Sequence, residues 1–347
     1  MTNGSGALPQ ISMLMSVFNG GAYLKASVES VFASEGVDFE FVVVDNCSTD
    51  GSREYLRGLP DPRIQLIENE TNVGQTAALN IGLQHCRAPY VARLDADDLT
   101  EPRRLMQQAK ALKANPEIGL VGGQMISISG DGKEIGRTSF AIDPDILSGR
   151  MIVANCFDHS SVAFRHDAVM ALGGYPQDFK VSQDFALFSA IMRAGWKIAN
   201  LKDVMARVRM HPDQVMAGSG AKLEKGEGAR VVAENFAWIT ESEHQEQVGK
   251  ILYRLWTGVE FETGSEEEHD PKAVLTTLFS APKLNNREKA YLALFLLGGQ
   301  CDRRFDLRAL LIRAAVRNDW AALLTLEAAK RFVKMCLPQG LSKRRLA

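Results

Sequence analysis

The chain has 347 residues, of which 46% are apolar and 24% charged, and its formal net charge is only −2. This composition is that of a globular protein and excludes a disordered, collagen-like or disulfide-stapled chain. The near-neutral charge argues against a general nucleic-acid-binding protein. Five scattered cysteines without a Cys-x-x-Cys pair, and a first segment without signal-peptide character, predict a cytoplasmic protein that is soluble or peripheral to a membrane.

The first hundred residues alternate β-rich runs with helical patterns. Continuous apolar, β-branched runs such as Phe39–Val44 are typical of buried parallel strands. Apolar residues at spacings of three and four indicate helices between those strands. The predicted strands are 11–18, 39–44, 64–67 and 90–94, and the predicted helices are 22–34, 49–56 and 75–85. This order predicts an α/β fold with a mostly parallel sheet and helices on both faces.

From about residue 222 onward the strand patterns disappear and only helical patterns remain. The predicted helices are 231–240, 248–260, 287–297, 307–316 and 321–334, with an acidic linker at 264–268. We therefore predict two domains, an α/β domain over residues 8–220 and a smaller all-helical domain over residues 221–347.

Charge is distributed unevenly between the two ends of the chain. Residues 282–347 hold 14 basic and 5 acidic side chains, a net charge of +9, whereas the remaining residues carry −11. Two interpretations of the basic helices are open. They form a solvated surface, or they dock on anionic lipid headgroups at the inner face of the cell membrane, where each basic residue adds about 1 kcal/mol.

The polar residues that directly follow the predicted strands are candidates for a site, because ligands bind at the carboxyl ends of strands in open α/β sheets. The clearest cluster is Asp95-Ala96-Asp97-Asp98. Three carboxylates at this spacing repel one another, and a divalent cation that also binds substrate phosphates would neutralise them. A helix-capping role for Asp98 or Thr100 is the alternative. The sequence contains no glycine-rich phosphate loop, so carboxylates with a metal are expected to hold a diphosphate.

A series of motifs in one order resembles the family-2 glycosyltransferases of the GT-A fold. The resemblance covers about residues 10–215, and its motifs are Ser16–Asn19, Val42–Gly51, Asn72–Gly74 with Asn80, Leu94–Asp98, His159–Val162, Gly173–Tyr175 and Gln183-Asp184. It implies inverting transfer of a sugar from a nucleotide sugar, with uridine the expected nucleoside. The implied acceptor is a hydroxyl of a glycan, a polysaccharide or a lipid-linked sugar.

The resemblance implies roles for individual residues by position. Asp184 corresponds to the general base, and Asp45 to the residue that binds the nucleotide base. Asp97 and His211 correspond to ligands of Mg²⁺ or Mn²⁺. The other donor-side positions are Phe18, Asn19, Asn72, Gly74 and Asp95, and the acceptor-side positions are His159 and Gln183. Gln183 departs from the family, which usually has Glu there, and this puts acceptor contacts in question.

Other interpretations remain open at this stage. A haloacid-dehalogenase-like phosphohydrolase also has Asp-x-Asp after a strand, but that motif usually has Thr or Val where this chain has Leu99. A sugar-phosphate nucleotidyltransferase would need a glycine-rich, basic N-terminal loop. A catalytically degenerate GT-A module that serves as a nucleotide-sugar-binding partner subunit is the third alternative. For Asp184 itself, the structural alternative is a cap of the helix that follows.

Overall fold

A computed structural model describes residues 8–211, 219–257 and 270–298, with short stretches at 311–312, 314–315 and 317–318. The described residues form two compact units. The first unit joins the chain up to Pro144 with Cys156–Glu224, and the second joins Asp145–Asn155 with the chain from Lys225 onward. The predicted domain boundary at residue 220 stays a prediction.

The strands form one sheet in the first unit. They are β1 (Ile11–Val17), β2 (Phe39–Asp45), β3 (Ile64–Glu68), β4 (Tyr90–Arg93), β5 (Leu99–Thr100), β6 (Ile118–Ser129), β7 (Glu134–Arg137), β8 (Ala163–Arg165) and β9 (Lys197–Met210). The described helices are α1 (Leu24–Phe32), α2 (Ser52–Arg57), α3 (Gln75–His85), α4 (Arg104–Ala114), α5 (Pro144–Met151), α6 (His166–Ala171), α7 (Gln183–Arg193), α8 (Ser219–Thr240), α9 (Glu246–Thr257), α10 (Pro271–Ser280) and α11 (Asn286–Gly298).

The sheet order is β3-β2-β1-β4-β8-β6-β9-β5, and β7 pairs with β6. The first four strands in this order are parallel neighbours, as predicted. Beyond β4 the sheet is mixed, because β8 is antiparallel to both β4 and β6, whereas β9 is parallel to β6. The α/β fold class is confirmed. The parallel strands are the four that were predicted in the first hundred residues, and the other half of the sheet is mixed.

Helices cover both faces of the parallel strands. Successive residues of a strand point to opposite faces, and Met13 and Met15 of β1 share one buried cluster with residues of α1 and α4. Leu14, on the other face, lies against Gly82 of α3. This burial on both faces explains why β1 and β2 have continuous apolar sequences rather than alternating ones.

The second unit is helical in its described part, as predicted. The predicted helices 231–240 and 287–297 lie within α8 and α11, and α9 covers 248–257 of a third, whereas α10 was not predicted. Of the predicted helix 307–316, only 311–312 and 314–315 are described, and they are helical. The linker at 264–268, the helix 321–334 and most of the basic C-terminal residues lie outside the described residues. Among the helices that are described, none has the length and hydropathy needed to cross a membrane.

Helices α8 and α9 pack closely where Gly249 of α9 meets α8. A Cβ on Gly249 would lie 2.1 Å from the carbonyl oxygen of Ala229 and 2.7 Å from the Cβ of Ala233. We expect Gly249→Ala to lower the free energy of unfolding by about 1–3 kcal/mol, measured by urea denaturation, because the two backbones must separate.

The matched control for this substitution is Gly226→Ala, on α8 itself. No atom of the described residues lies within 4 Å of a Cβ at Gly226. Alanine there should raise the free energy of unfolding by about 0.5–1 kcal/mol, because it reduces the freedom of the unfolded chain. Equal effects of the two substitutions would contradict close packing at Gly249.

Candidate active site

The loops after β1 and β2 are joined by hydrogen bonds at the carboxyl end of the parallel strands. The backbone N–H of Gly21 donates to Asp50 Oδ2 at 2.8 Å, and the N–H of Thr49 donates to Asn19 Oδ1, also at 2.8 Å. Asn19 has a φ of 52°, a left-handed conformation that asparagine tolerates. The neighbouring Phe18 is 52% exposed. These contacts hold the loop with Phe18 and Asn19, both predicted to bind the donor, against the loop after β2.

Asp45 lies at the end of β2 with its side chain fully buried. Its Oδ2 accepts a hydrogen bond from Arg53 Nε at 2.6 Å, within an ion pair. Its Oδ1 is buried and has no hydrogen-bond partner among the described residues. A buried acceptor without a partner is costly, so Oδ1 is an atom that an N–H group of a ligand would satisfy.

Asn72 and Gly74 belong to the loop that leads into α3. The side-chain oxygen of Asn72 accepts hydrogen bonds from Asn46 Nδ2 at 2.8 Å and from the N–H of Gly74 at 2.9 Å. Gly74 has a φ of 84°, which favours glycine, and α3 begins at the next residue. The side chain of Asn72 therefore shapes this loop, next to the end of β2.

Asp95 is held by a buried arginine that the sequence analysis did not single out. Arg93 is fully buried and forms an ion pair with the carboxylate of Asp95. Ser160 Oγ donates to Asp95 Oδ2 at 3.2 Å and accepts from the N–H of Asp95 at 3.0 Å. Burial opposes the ionised form, but Arg93 and Ser160 hold the pKa of Asp95 below its ordinary value. The sequence signal that could have indicated this ion pair is the single arginine in the otherwise apolar strand β4.

A chain of two side-chain amides connects α7 to Asp95. Gln75 Nε2, at the start of α3, donates to Asp95 Oδ1 at 3.3 Å. Gln183 Nε2 donates to Gln75 Oε1 at 3.0 Å. Gln183 Oε1 is buried and lacks a hydrogen-bond partner among the described residues. Gln183, predicted on the acceptor side, is therefore linked to Asp95, predicted on the donor side. The residue that links them, Gln75, was not predicted.

The two predicted metal ligands are in contact. His211 Nε2 lies 2.9 Å from Asp97 Oδ2, and the imidazole ring lies against the ring of Tyr23. Burial, followed by the negative charge of Asp95, raises the pKa of Asp97. Carboxylate oxygen and imidazole nitrogen fit a divalent cation. No group of three or more metal-ligating side chains occurs in the described part of the chain. Phosphate oxygens and water are the further ligands that such a cation usually takes.

Asp98 connects the acidic loop to β9. It is buried, and its Oδ1 accepts the N–H of Arg209 at 2.8 Å. Burial, together with the charges of Asp95 and Asp97, raises the pKa of Asp98 well above its ordinary value. The capping alternative for Asp98 or Thr100 is wrong, because α4 begins at Arg104 and no described side chain caps it.

Asp184 is the second residue of α7, and the N–H of Phe185 donates to its Oδ1 at 2.7 Å. The N-cap position belongs to Ser182, so the capping alternative for Asp184 is wrong. Burial raises the pKa of Asp158 and of Tyr175, and the negative charge of Asp184 contributes to both shifts, so Asp184 is close enough to act on these two residues.

His159, the other predicted acceptor-side residue, lies on this side too. Its Nε2 lies 2.9 Å from the hydroxyl oxygen of Tyr175. Burial and then Arg93 lower the pKa of His159 well below its ordinary value, which keeps the ring neutral at pH 7. The ring is therefore an uncharged hydrogen-bonding group.

Asp158 is a further acid of the site that sequence reasoning missed, and its Oδ1 accepts the N–H of Ser160 at 2.9 Å. Burial, then the charge of Asp95, raise its pKa to about 7. Since its pKa in the unfolded chain is about 4, folding takes up a proton, and the free energy of unfolding falls as the pH rises from about 4 to about 7. We expect Asp158→Asn, which keeps the acceptor for Ser160, to raise Tm at pH 8 and to leave it nearly unchanged at pH 4.

Thermal denaturation of the unliganded protein at the two pH values measures this effect. Asp203→Asn, on the exposed part of β9, is the control and should change Tm little at either pH. A gain of equal size at pH 4 and pH 8 for Asp158→Asn would contradict the assignment.

Comparison with known proteins identifies the family. The model of glycosyl transferase family 2 matches residues 12–172. Putative glycosyltransferase EpsE of Bacillus subtilis (strain 168) is 31% identical over 212 residues, which are 59% of this chain and 74% of EpsE. The chain belongs to glycosyltransferase family 2. The amylovoran biosynthesis glycosyltransferase AmsE of Erwinia amylovora is 36% identical to this glycosyltransferase over 163 residues, 47% of the chain and 60% of AmsE.

Solved structures agree with the fold of this family-2 glycosyltransferase. S. aureus TarS 1–349 in complex with UDP has a TM-score of 0.54 at 16% identity, covering 93% of this chain and 91% of that chain. Mannosyltransferase PcManGT from Pyrobaculum calidifontis, in complex with GDP-Man and Mn²⁺, has a TM-score of 0.50 at 18% identity, covering 91% and 88%. These similarities show the fold alone, and they confirm the predicted GT-A-like α/β architecture.

Proposed function

We propose that this glycosyltransferase moves a sugar from a UDP-sugar to a hydroxyl of a glycan, polysaccharide or lipid-linked acceptor, with inversion at the anomeric carbon. The observation that carries the proposal is the position of three acids at one end of the sheet. Asp45 is the last residue of β2, Asp97 follows β4, and Asp184 is the second residue of α7, whose first residue, Gln183, is connected through Gln75 to Asp95. UDP in the TarS structure and the name of AmsE support the donor and the acceptor class.

The donor would lie across the loops after β1, β2 and β4. Asp45 Oδ1 has no partner in the described residues and can accept the N–H of a uracil ring. Asn19, next to Phe18, and Asn72, in the loop that contains Gly74, both form hydrogen bonds with the loop after β2. Asp95, already neutralised by Arg93, is suited to accept hydrogen bonds from ribose hydroxyls without adding repulsion toward a diphosphate.

Asp97 and His211 are the residues that would hold Mg²⁺ or Mn²⁺, together with the diphosphate. A bound cation supplies compensation for the negative charge that develops on the leaving nucleoside diphosphate. The contact between the two side chains supports this pair of ligands. Mn²⁺ in the PcManGT structure supports this choice of cofactor.

Asp184 would act as the general base. Its carboxylate takes the proton of the acceptor hydroxyl while that oxygen forms a bond to the anomeric carbon. The bond from that carbon to the diphosphate oxygen breaks on the opposite face, which inverts the configuration. His159, neutral and bonded to Tyr175, can orient the acceptor by hydrogen bonding without competing for this proton.

The test is release of nucleoside diphosphate from a panel of UDP- and GDP-sugars, with and without Mn²⁺. We expect slow hydrolysis of a UDP-sugar that requires the cation. Turnover of GDP-sugars alone would contradict the choice of uridine. Cation-dependent binding of UDP-sugars without turnover, even with added glycan acceptors, would favour the alternative of a catalytically inactive partner subunit.

A further inference from the structure

A cavity of about 940 Å³ lies at the opposite end of the parallel strands from the candidate active site. It is formed where β1 and β4 begin, and its wall includes Pro9, Tyr90 and one face of α4. None of the acids of the candidate active site contributes to its lining. A cavity of this volume is in the range that encloses most of a small organic ligand.

The face of α4 that lines the cavity combines apolar and cationic side chains. Met106, Ala109, Lys110 and Lys113 have the spacing that places residues on one side of a helix. Both lysines are exposed, and neither forms an ion pair or a hydrogen bond with any described residue. Met170, on the facing helix α6, lines the same cavity and is 41% exposed.

Lys110 and Lys113 are the cations of this lining that have no ion-pair or hydrogen-bond partner among the described residues. Arg87 Nε already pairs with Glu40 Oε2 at 2.7 Å. Arg165 donates to the carbonyl oxygens of Ile118 and Leu112. Among the described residues of the lining, Asp167 is the one acid, so these residues carry a net positive charge. A ligand with an anionic group is therefore favoured over a neutral one.

We propose that this cavity binds a single amphiphilic anion. Its hydrocarbon body would pack against Met106, Tyr90 and Met170, and its phosphate or carboxylate group would be held by Lys110 and Lys113. The apolar part of the lining distinguishes this ligand from inorganic phosphate, and the lysines distinguish it from a neutral detergent. The proposal is independent of the sugar-transfer site, which lies at the other end of the strands.

The test is calorimetric titration of the full chain with octyl phosphate below its micelle concentration. Inorganic phosphate and neutral octyl glucoside should each bind at least about tenfold more weakly, because each lacks one of the two interactions. Inorganic phosphate or octyl glucoside binding as tightly as octyl phosphate would overturn the proposal, as would absence of binding by octyl phosphate.

Substitutions locate the site. The double variant Lys110→Glu, Lys113→Glu should weaken octyl phosphate binding at least about tenfold and leave UDP binding and Tm unchanged, since both side chains are exposed. The matched control is Lys202→Glu, an exposed lysine of β9 outside the cavity, which should bind as the unchanged protein does. Equal affinity of the double variant and the control would overturn the proposal.

Binding to phosphatidylglycerol vesicles distinguishes a membrane lipid from a soluble amphiphile as the ligand of this cavity. Loss of vesicle binding in the double variant, together with loss of octyl phosphate binding, assigns the ligand to membrane lipid. Loss of octyl phosphate binding alone assigns a soluble amphiphile.

Discussion

Asp184→Asn is expected to reduce sugar transfer by about 10²–10⁴-fold and to leave nucleotide binding unchanged. The amide keeps the oxygen that accepts the N–H of Phe185, so the first turn of α7 should remain as it is. It cannot take a proton from the acceptor hydroxyl, which is the role we propose for this carboxylate. Transfer rates with saturating donor, and UDP affinity by calorimetry, measure the two effects separately.

The matched control is Asp167→Asn. Asp167 is also the second residue of a helix, α6, and its Oδ1 accepts the N–H of Ala168 at 2.8 Å, as Asp184 accepts from Phe185. It lies at the other end of the strands, so transfer should be unaffected. If both variants lost transfer activity, the cause would be a disturbed first helical turn and not the loss of a base. Loss of donor binding in Asp184→Asn would contradict its assignment as a base.

Asp97→Ala is expected to weaken Mn²⁺-dependent binding of UDP by at least about tenfold, because the cation loses a carboxylate ligand. The side chain is 28% exposed, so its removal should disturb the fold little. Titration of UDP with Mn²⁺ and with a chelator measures the dependence. Binding measured with the chelator is the internal control and should match that of the unchanged protein.

His211→Ala provides a second measurement of the same site. It removes the imidazole that contacts Asp97, and we expect a smaller loss of cation-dependent affinity because the carboxylate remains. Unchanged Mn²⁺-dependent affinity in Asp97→Ala would refute its role as a ligand. Loss in Asp97→Ala with none in His211→Ala would restrict the ligand set to the carboxylate.

These experiments also separate an enzyme from a binding subunit. A partner subunit would lose cation-dependent binding in Asp97→Ala but would show no transfer for Asp184→Asn to reduce. The ion pair of Arg93 with Asp95 and the hydrogen bond from Gln75 to Asp95 are consistent with either outcome, because both hold the Asp95 carboxylate in place.

Much of the fold could be predicted because its signals are local. The predicted helix 75–85 matches α3, and the predicted strand 39–44 lies within β2, since apolar periodicity and strand length extend over only a few residues. The mixed half of the sheet was not predicted. Its pairing joins β6 to β9, about 80 residues apart, and no short pattern records which strands become neighbours.

The sequence by itself determined the family, the α/β class and the acids at the carboxyl ends of β2 and β4. Only the tertiary structure decided what each acid contacts: Arg93 for Asp95, His211 for Asp97 and the backbone of Arg209 for Asp98. Two of these contacts span more than 110 residues of sequence. The physical reason is that periodicity and propensity act over a few residues, whereas the charge state and orientation of a buried carboxylate depend on whichever groups folding brings against it.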